Sequence, residues 1–204
     1  ARGIDRFDNA CFGISAAEPA VMDPQQRILL ERGYESLHGA GLKRTTLIGT
    51  TMGVFVGIGT QDFAFLVTNS PLASSVYSAT GSSHSIASGR LSYILGLQGP
   101  CASYDTACSS TLTACHAAVR ATRHAESADN LVAGISLLLL PRVSYSFATA
   151  GMTSARGRCH TFDARADGFA RGESCCALTL LSHAKSESSL VSTGSCVRQD
   201  GKSA

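Results

Sequence analysis

The stretch Gly99-Pro100-Cys101-Ala102-Ser103-Tyr104-Asp105-Thr106-Ala107-Cys108-Ser109-Ser110-Thr111-Leu112 decides how this chain reads. Gly99-Pro100 marks a turn. Residues 103–107 read as a short strand. Cys108 then stands at the mouth of a helix that opens with Ser109, Ser110 and Thr111 and runs through the alanine-rich Ala114 to Ala121 to about Arg123. The first N–H groups of a helix lack intrahelical partners, and the helix dipole favours negative charge there. The thiolate is the reactive form of cysteine, and this placement favours it. Cys108 is therefore a candidate nucleophile. The competing reading is a small buried hydrophobe, the commoner fate of a free cysteine.

Outward from this stretch, strands alternate with helices. Asp23 reads as an N-cap, Pro24 fits the first helical position, and Gln26 sits three residues after the cap, as in a capping box. Leu30, Tyr34 and Leu37 recur at helical spacing until Gly39 and Gly41. Residues 52–58 form a continuous apolar run, the pattern of a strand buried on both faces. Residues 61–75 read as loosely helical and then loop. Residues 82–95 read as a second helix ended by Gly96. Residues 130–136 read as another buried strand, and Pro141 stops further pairing after the apolar run 137–140. A short helix is expected over 144–152 and a long structured loop over 153–174, of the kind that carries function in a compact domain. Residues 175–181 and 190–198 read as the last two strands. The order implies an α/β layered domain with a mainly parallel sheet.

Composition narrows the function classes. The chain is 44% hydrophobic and 16% charged, with a formal net charge of +2 and scattered basic residues. That argues against nucleic acid or an anionic membrane as partner. No apolar run is long enough to span a bilayer, and no signal peptide is visible. The chain does not begin with Met, so targeting to an organelle stays open. The eight cysteines show neither disulfide nor metal spacing. Cys108 and Cys115 on one helix lie about 10 Å apart along its axis. Adjacent Cys175 and Cys176 in a strand point to opposite faces. Reduced cysteines imply an intracellular protein, expected in the cytoplasm.

Asp105-Thr106-Ala107-Cys108-Ser109-Ser110 followed by Leu112 resembles the active-site signature of β-ketoacyl synthases, closest to the ketosynthase domains of modular polyketide synthases and type I fatty acid synthases. Thr111 stands where that family usually has serine. The resemblance covers nearly the whole chain. Cys11-Phe12-Gly13-Ile14-Ser15 and Met22-Asp23-Pro24-Gln25-Gln26-Arg27 resemble its early "FFGIS" and "MDPQQR" words. Gly89-Arg90-Leu91-Ser92-Tyr93 and Leu95-Gly96-Leu97-Gln98-Gly99-Pro100 resemble "GRVSYTLGLEGP". Gly157-Arg158-Cys159, Phe162-Asp163, Ala166-Asp167-Gly168-Phe169, Arg171-Gly172-Glu173 and Gln199-Asp200-Gly201 follow in register. His160 replaces a usual basic residue, Ser174 a usual glycine, and Cys175-Cys176 stands where small residues are common.

The resemblance implies a thiolase-like layered fold, with residues 1–204 forming the N-terminal half of a domain about twice this length. That internal fragment would lack the first strand and most of the C-terminal half. It also implies the chemistry: decarboxylative Claisen condensation of an acyl group on Cys108 with a malonyl-type extender. The extender's acyl carrier protein delivers it on a phosphopantetheine arm, so no resident cofactor and no metal is implied. The family's two further histidines, in "HGTGT" and "NxGH" words, and its lysine come from the second half of the fold. None of the six histidines here has either context. His116, eight residues beyond Cys108, lies about 12 Å up the helix axis and is expected to be structural, as are His84 and His160. The fragment alone is accordingly expected to perform no condensation. The resemblance further implies a homodimer with residues 103–106 near its two-fold axis. Asp105 is expected to orient the turn through backbone N–H bonds, and Arg171 and Glu173 to pair locally or flank the acyl entrance. A catalytically silent module that only binds carrier protein is the alternative.

Overall fold

Asp23 starts the first helix as its sequence demands. In the computed structural model, which describes residues 3–182 and 191–202, helix α1 (Pro24–Gly39) is capped by the Asp23 carboxylate, which accepts a bond from Gln25 N at 2.7 Å. Pro24 occupies the first turn, where no N–H is needed. Gln26 departs from the capping-box expectation. Its Nε2 donates to Thr80 O and Ser83 O, each at 3.1 Å, and its Oε1 accepts from Arg90 Nε at 2.7 Å. Those carbonyls lie where a short helix α4 (Ser78–Ser82) gives way to α5 (His84–Leu95). The helix expected over 82–95 therefore forms as α5 but starts at His84, with Ser82 ending α4, and a buried glutamine from α1 takes backbone acceptors at this junction. Gly96, at φ +67°, ends α5, with Leu97 N reaching back to Ser92 O at 2.8 Å. Two further short helices, α2 (Arg44–Leu47) and α3 (Asp62–Thr68), flank the first strand.

Among the described residues the sheet has four strands: β1 (Gly53–Gly57), β2 (Cys101–Tyr104), β3 (Asn130–Ser136) and β4 (Ser174–Leu180), in the order β2-β1-β3-β4. The first three run parallel and β4 is antiparallel to β3. Every residue of β1 is buried, which is why its sequence is apolar without alternation. Val54, Val56, Leu131 and Ala133 pack with Leu29, Leu30, Leu91 and Leu95 of α1 and α5. On the other face, Phe55 and Val132 meet Ala114, Ala118 and Ala121 of α6 (Ser110–Arg123). Alanine at every one of these contact positions lets α6 lie close against the sheet. Helix α7 (Arg142–Thr149) follows β3. Cys175 and Cys176 do face opposite ways. Cys175 packs against the α1 side and its thiol is pushed up to about 11 by burial, whereas Cys176 is exposed.

The strand expected over 190–198 is not formed. Residues 191–198 have no regular structure and are exposed; Leu190 lies outside the described residues. The segment crosses to the α6 side, where Thr193 O accepts from Arg123 Nη2 at 3.2 Å and Ser195 Oγ bonds His116 Nδ1 at 2.9 Å. On that side it faces a helix, which offers no ladder of N–H and C=O groups to pair with.

Candidate active site

In a parallel sheet, ligands bind beyond the carboxyl ends of the strands, where the connections diverge. Three connections leave β1, β2 and β3 at that edge, and polar side chains lock them together. The buried Asp62 carboxylate, at the start of α3, accepts from Leu139 N at 3.1 Å and Leu140 N at 2.9 Å, fastening the β1 exit to the β3 exit. Gly59 lies so close to Asp105 that a Cβ there would be 2.9 Å from Oδ1, which brings the β1 and β2 exits into contact. Thr60 O is held by His84 Nε2 at 2.8 Å and by Gln25 Nε2 at 3.1 Å.

Cys108 sits in the β2 exit, within a 3-10 turn (Ala107–Ser109) immediately before α6, and is exposed. Ala107 holds φ 56°, a left-handed conformation that costs an L-residue about 1–2 kcal/mol. The flanking polar residues hold it there. Ala107 N donates to Asp105 Oδ1 at 3.1 Å, the backbone bond expected of Asp105. Ser110 Oγ accepts from Thr106 N at 2.9 Å and donates to Ala107 O at 2.7 Å. Ser109 Oγ bonds Thr106 O and Thr106 Oγ1, each at 2.8 Å. Asp105, Thr106, Ser109 and Ser110 thus brace a strained turn that presents the cysteine side chain between them. Cys115, further along α6, is half-buried, and burial raises its thiol pKa.

An open, largely apolar cavity of about 770 Å³ is lined by Phe65, Leu140, Pro141, Tyr145, Thr149 and Ala150. Its residues lie on elements that leave β1 and β3 at the same sheet edge. Arg142 rests 5.7 Å from the centre of the Phe65 ring and closes one side. The loop after α7 is structured, as expected from its sequence. Cys159 Sγ accepts from Ala170 N at 3.1 Å, and Arg156 pairs with Asp167 at 3.2 Å. Hydrogen bonds hold Asp167, by Ser154 first and Arg156 next, and Asp163, by Arg165, below the usual carboxylate range. Arg171 bonds Ser144 Oγ at 2.6 Å and lies 5.2 Å from the Phe147 ring centre, and Glu173 accepts from Leu138 N at 2.9 Å. Both residues tie the loop to the β3 exit and α7.

Of the histidines, His84 bonds Thr60 O and His116 bonds Ser195 Oγ. Three features of the site have no counterpart in the reading of the sequence. They are the strain at Ala107, the Asp62 clamp and two strand glycines, Gly57 and Gly134. Of these only the glycines carry a sequence signal, since a glycine inside a strand marks close approach of another backbone.

Comparison with known proteins agrees with this geometry. Residues 1–186 match the family described as "Beta-ketoacyl synthase, N-terminal domain". A mycocerosic acid synthase-like polyketide synthase of Mycolicibacterium smegmatis is 42% identical over 201 residues, covering 96% of this chain and 10% of that protein. A phenolphthiocerol/phthiocerol polyketide synthase of Mycobacterium tuberculosis is 43% identical over 202 residues, covering 97% of this chain and 13% of that protein. The ketosynthase from module 6 of the bacillaene synthase from Bacillus subtilis superposes with a TM-score of 0.81 at 38% identity, over 88% of this chain and 30% of that one. The four-stranded layer is thus part of a thiolase-like fold, and the chain spans a small share of the length of these relatives.

Proposed function

Because the chain belongs to the β-ketoacyl synthase family, in its N-terminal domain, we propose that it carries the acyl-bearing nucleophile of a polyketide synthase ketosynthase, and that this nucleophile is Cys108. The braced turn supports this reading most. It exposes one cysteine at the carboxyl edge of a parallel sheet, at the mouth of a helix, and holds a residue in a costly conformation to do so. The Cys108 thiolate attacks the acyl carbonyl of a thioester carried on the phosphopantetheine arm of an acyl carrier protein. The carrier's thiol leaves, and Cys108 holds the acyl group as a thioester. Backbone N–H groups of the turn stabilise the tetrahedral oxyanion. A malonyl-type extender on a carrier protein then loses CO2. Its enolate carbon attacks the Cys108 thioester, a C–C bond forms, the C–S bond breaks, and the Cys108 thiolate is restored. The apolar cavity beside α7 offers surface to the acyl chain. In this reading the chain is the nucleophile-bearing part of a larger ketosynthase domain, whose other half supplies the groups that activate the extender. The position of β2 at the edge of the sheet fits the homodimer contact that the family resemblance implies.

The test uses the complete ketosynthase that contains this chain. Incubation with an acyl thioester of N-acetylcysteamine, followed by peptide mass spectrometry, places the acyl mass on the Cys108 peptide. C108A takes none and gives no condensation product with malonyl-carrier protein. Acylation of another cysteine, or none at all in folded protein, overturns the assignment. Acylation without condensation would favour the silent carrier-binding module.

A further inference from the structure

Resting on that reading of Cys108, we propose that Gly57, Gly134 and Thr111 form a notch and wedge that set the depth at which the nucleophile turn sits on the sheet. They are positioning residues for Cys108. Gly57 ends β1 and Gly134 lies in β3, and the two are directly paired in the parallel register. Side by side they leave a gap in the sheet's side-chain layer on the α6 face. The first turn of α6 fills it. A Cβ on Gly57 would stand 2.5 Å from Thr111 N, 2.7 Å from Ser110 C and 2.7 Å from Thr111 Cα. A Cβ on Gly134 would stand 2.0 Å from Thr111 Oγ1, 2.8 Å from Thr111 Cγ2 and 2.9 Å from Thr111 Cβ. None of these separations is compatible with a real side chain, so α6 packs here against bare backbone. Further along α6 the sheet is met chiefly by the side chains of Ala114, Ala118 and Ala121, whereas near the end that carries Cys108 the helix backbone itself faces bare strand backbone at Gly57.

The two glycines accept different things. Gly57 accommodates the helix backbone itself. Gly134 accommodates the Thr111 side chain, whose β-branched χ1 is stiff and whose hydroxyl oxygen points into the gap. The wedge prevents the first turn from sliding or rocking, and Ser110, next to it, is the residue that braces Ala107 and Thr106. Displacement at Thr111 therefore passes directly to the turn holding Cys108.

This difference predicts an asymmetric rescue. In the complete ketosynthase, G134A meets only side-chain atoms, so T111G in the same protein relieves it; G57A meets backbone, so T111G does not. Two rates are read at each variant: Cys108 acylation by an acyl N-acetylcysteamine thioester, and Cys108 alkylation by iodoacetamide relative to exposed Cys11. Labelling of half-buried Cys175 reports global unfolding. With Cys175 protected, G134A and G57A are expected to slow acylation by about 10²-fold, the scale of an ångström-sized misplacement. G134A/T111G returns toward the wild-type rate, G57A/T111G stays slow, and T111S, which keeps the oxygen in the gap, stays near wild type. If the alanine variants do not fold, T111A decides: loss of the wedge slows acylation while Cys175 stays protected. Wild-type acylation in G134A or T111A, or equal rescue at both glycines, overturns the notch. Should wild-type Cys108 take no acyl group, the nucleophile reading fails instead. The notch is then judged on the Cys108-to-Cys11 alkylation ratio, which must change in G134A and revert in G134A/T111G.

Discussion

At the scale of single residues, Ala107 is where local preference is overruled. Its positive φ is a conformation glycine adopts without penalty. A107G is expected to fold with stability within about 1 kcal/mol of wild type, relief of strain being offset by a freer unfolded chain. A107V, β-branched in the left-handed region, should lose more than that; urea unfolding midpoints compare the two. Asp23 gives a second test. Burial raises its carboxyl pKa, against the opposing bonds from Gln25. The folded state therefore holds this proton more tightly than the unfolded chain does. Stability from the group is full below the ordinary aspartate value of about 3.9 and is lost as pH rises through the higher folded value. Wild type should lose ground to D23N across that window, which urea midpoints between pH 3 and pH 7 will show. Cys175 supplies a third. With its thiol near 11, it should remain unalkylated at neutral pH while exposed Cys11 reacts.

At the scale of elements, the connections at the strand ends matter more than the strands. Asp62 is a buried side chain that joins the β1 exit to the β3 exit through two backbone amides. D62A leaves both amides without their acceptor and should cost about 1–3 kcal/mol. D62N, which keeps one acceptor oxygen, should cost less; urea midpoints rank the two. The alanine substitution should also loosen the apolar cavity, since Phe65 and Leu140 line it from the two segments that Asp62 joins.

At the scale of the whole molecule, large apolar side chains remain on the surface. Among the described residues, Leu112 on α6, Tyr145 on α7, Phe162 in the loop and Leu178 on β4 are large apolar side chains more than half exposed. Exposed apolar surface of this kind drives association. The isolated 204-residue chain should therefore elute as oligomers in size-exclusion chromatography, and L112E with L178E should shift it toward monomer. Unchanged elution would mean that these side chains do not drive the association. Among the described residues, no helix is long and apolar enough to cross a membrane.

Much of this was written locally. Continuous apolar runs marked β1 and β3, because a strand covered on both faces has no polar side to show. Asp23-Pro24 and Gly96 marked helix ends, because capping needs only neighbours in sequence. The word around Cys108 marked the turn that carries it, because Asp105, Thr106, Ser109 and Ser110 brace it within a few residues. Tertiary structure decided what neighbours in sequence cannot. Gln26 left the expected capping box for partners 54 and 57 residues away. The segment expected as a last strand lay across α6 and found no edge to pair with. Gly57 and Gly134 became one gap only when β1 and β3 came into register. Each of these depends on which surfaces meet, and that is settled by packing of the folded chain.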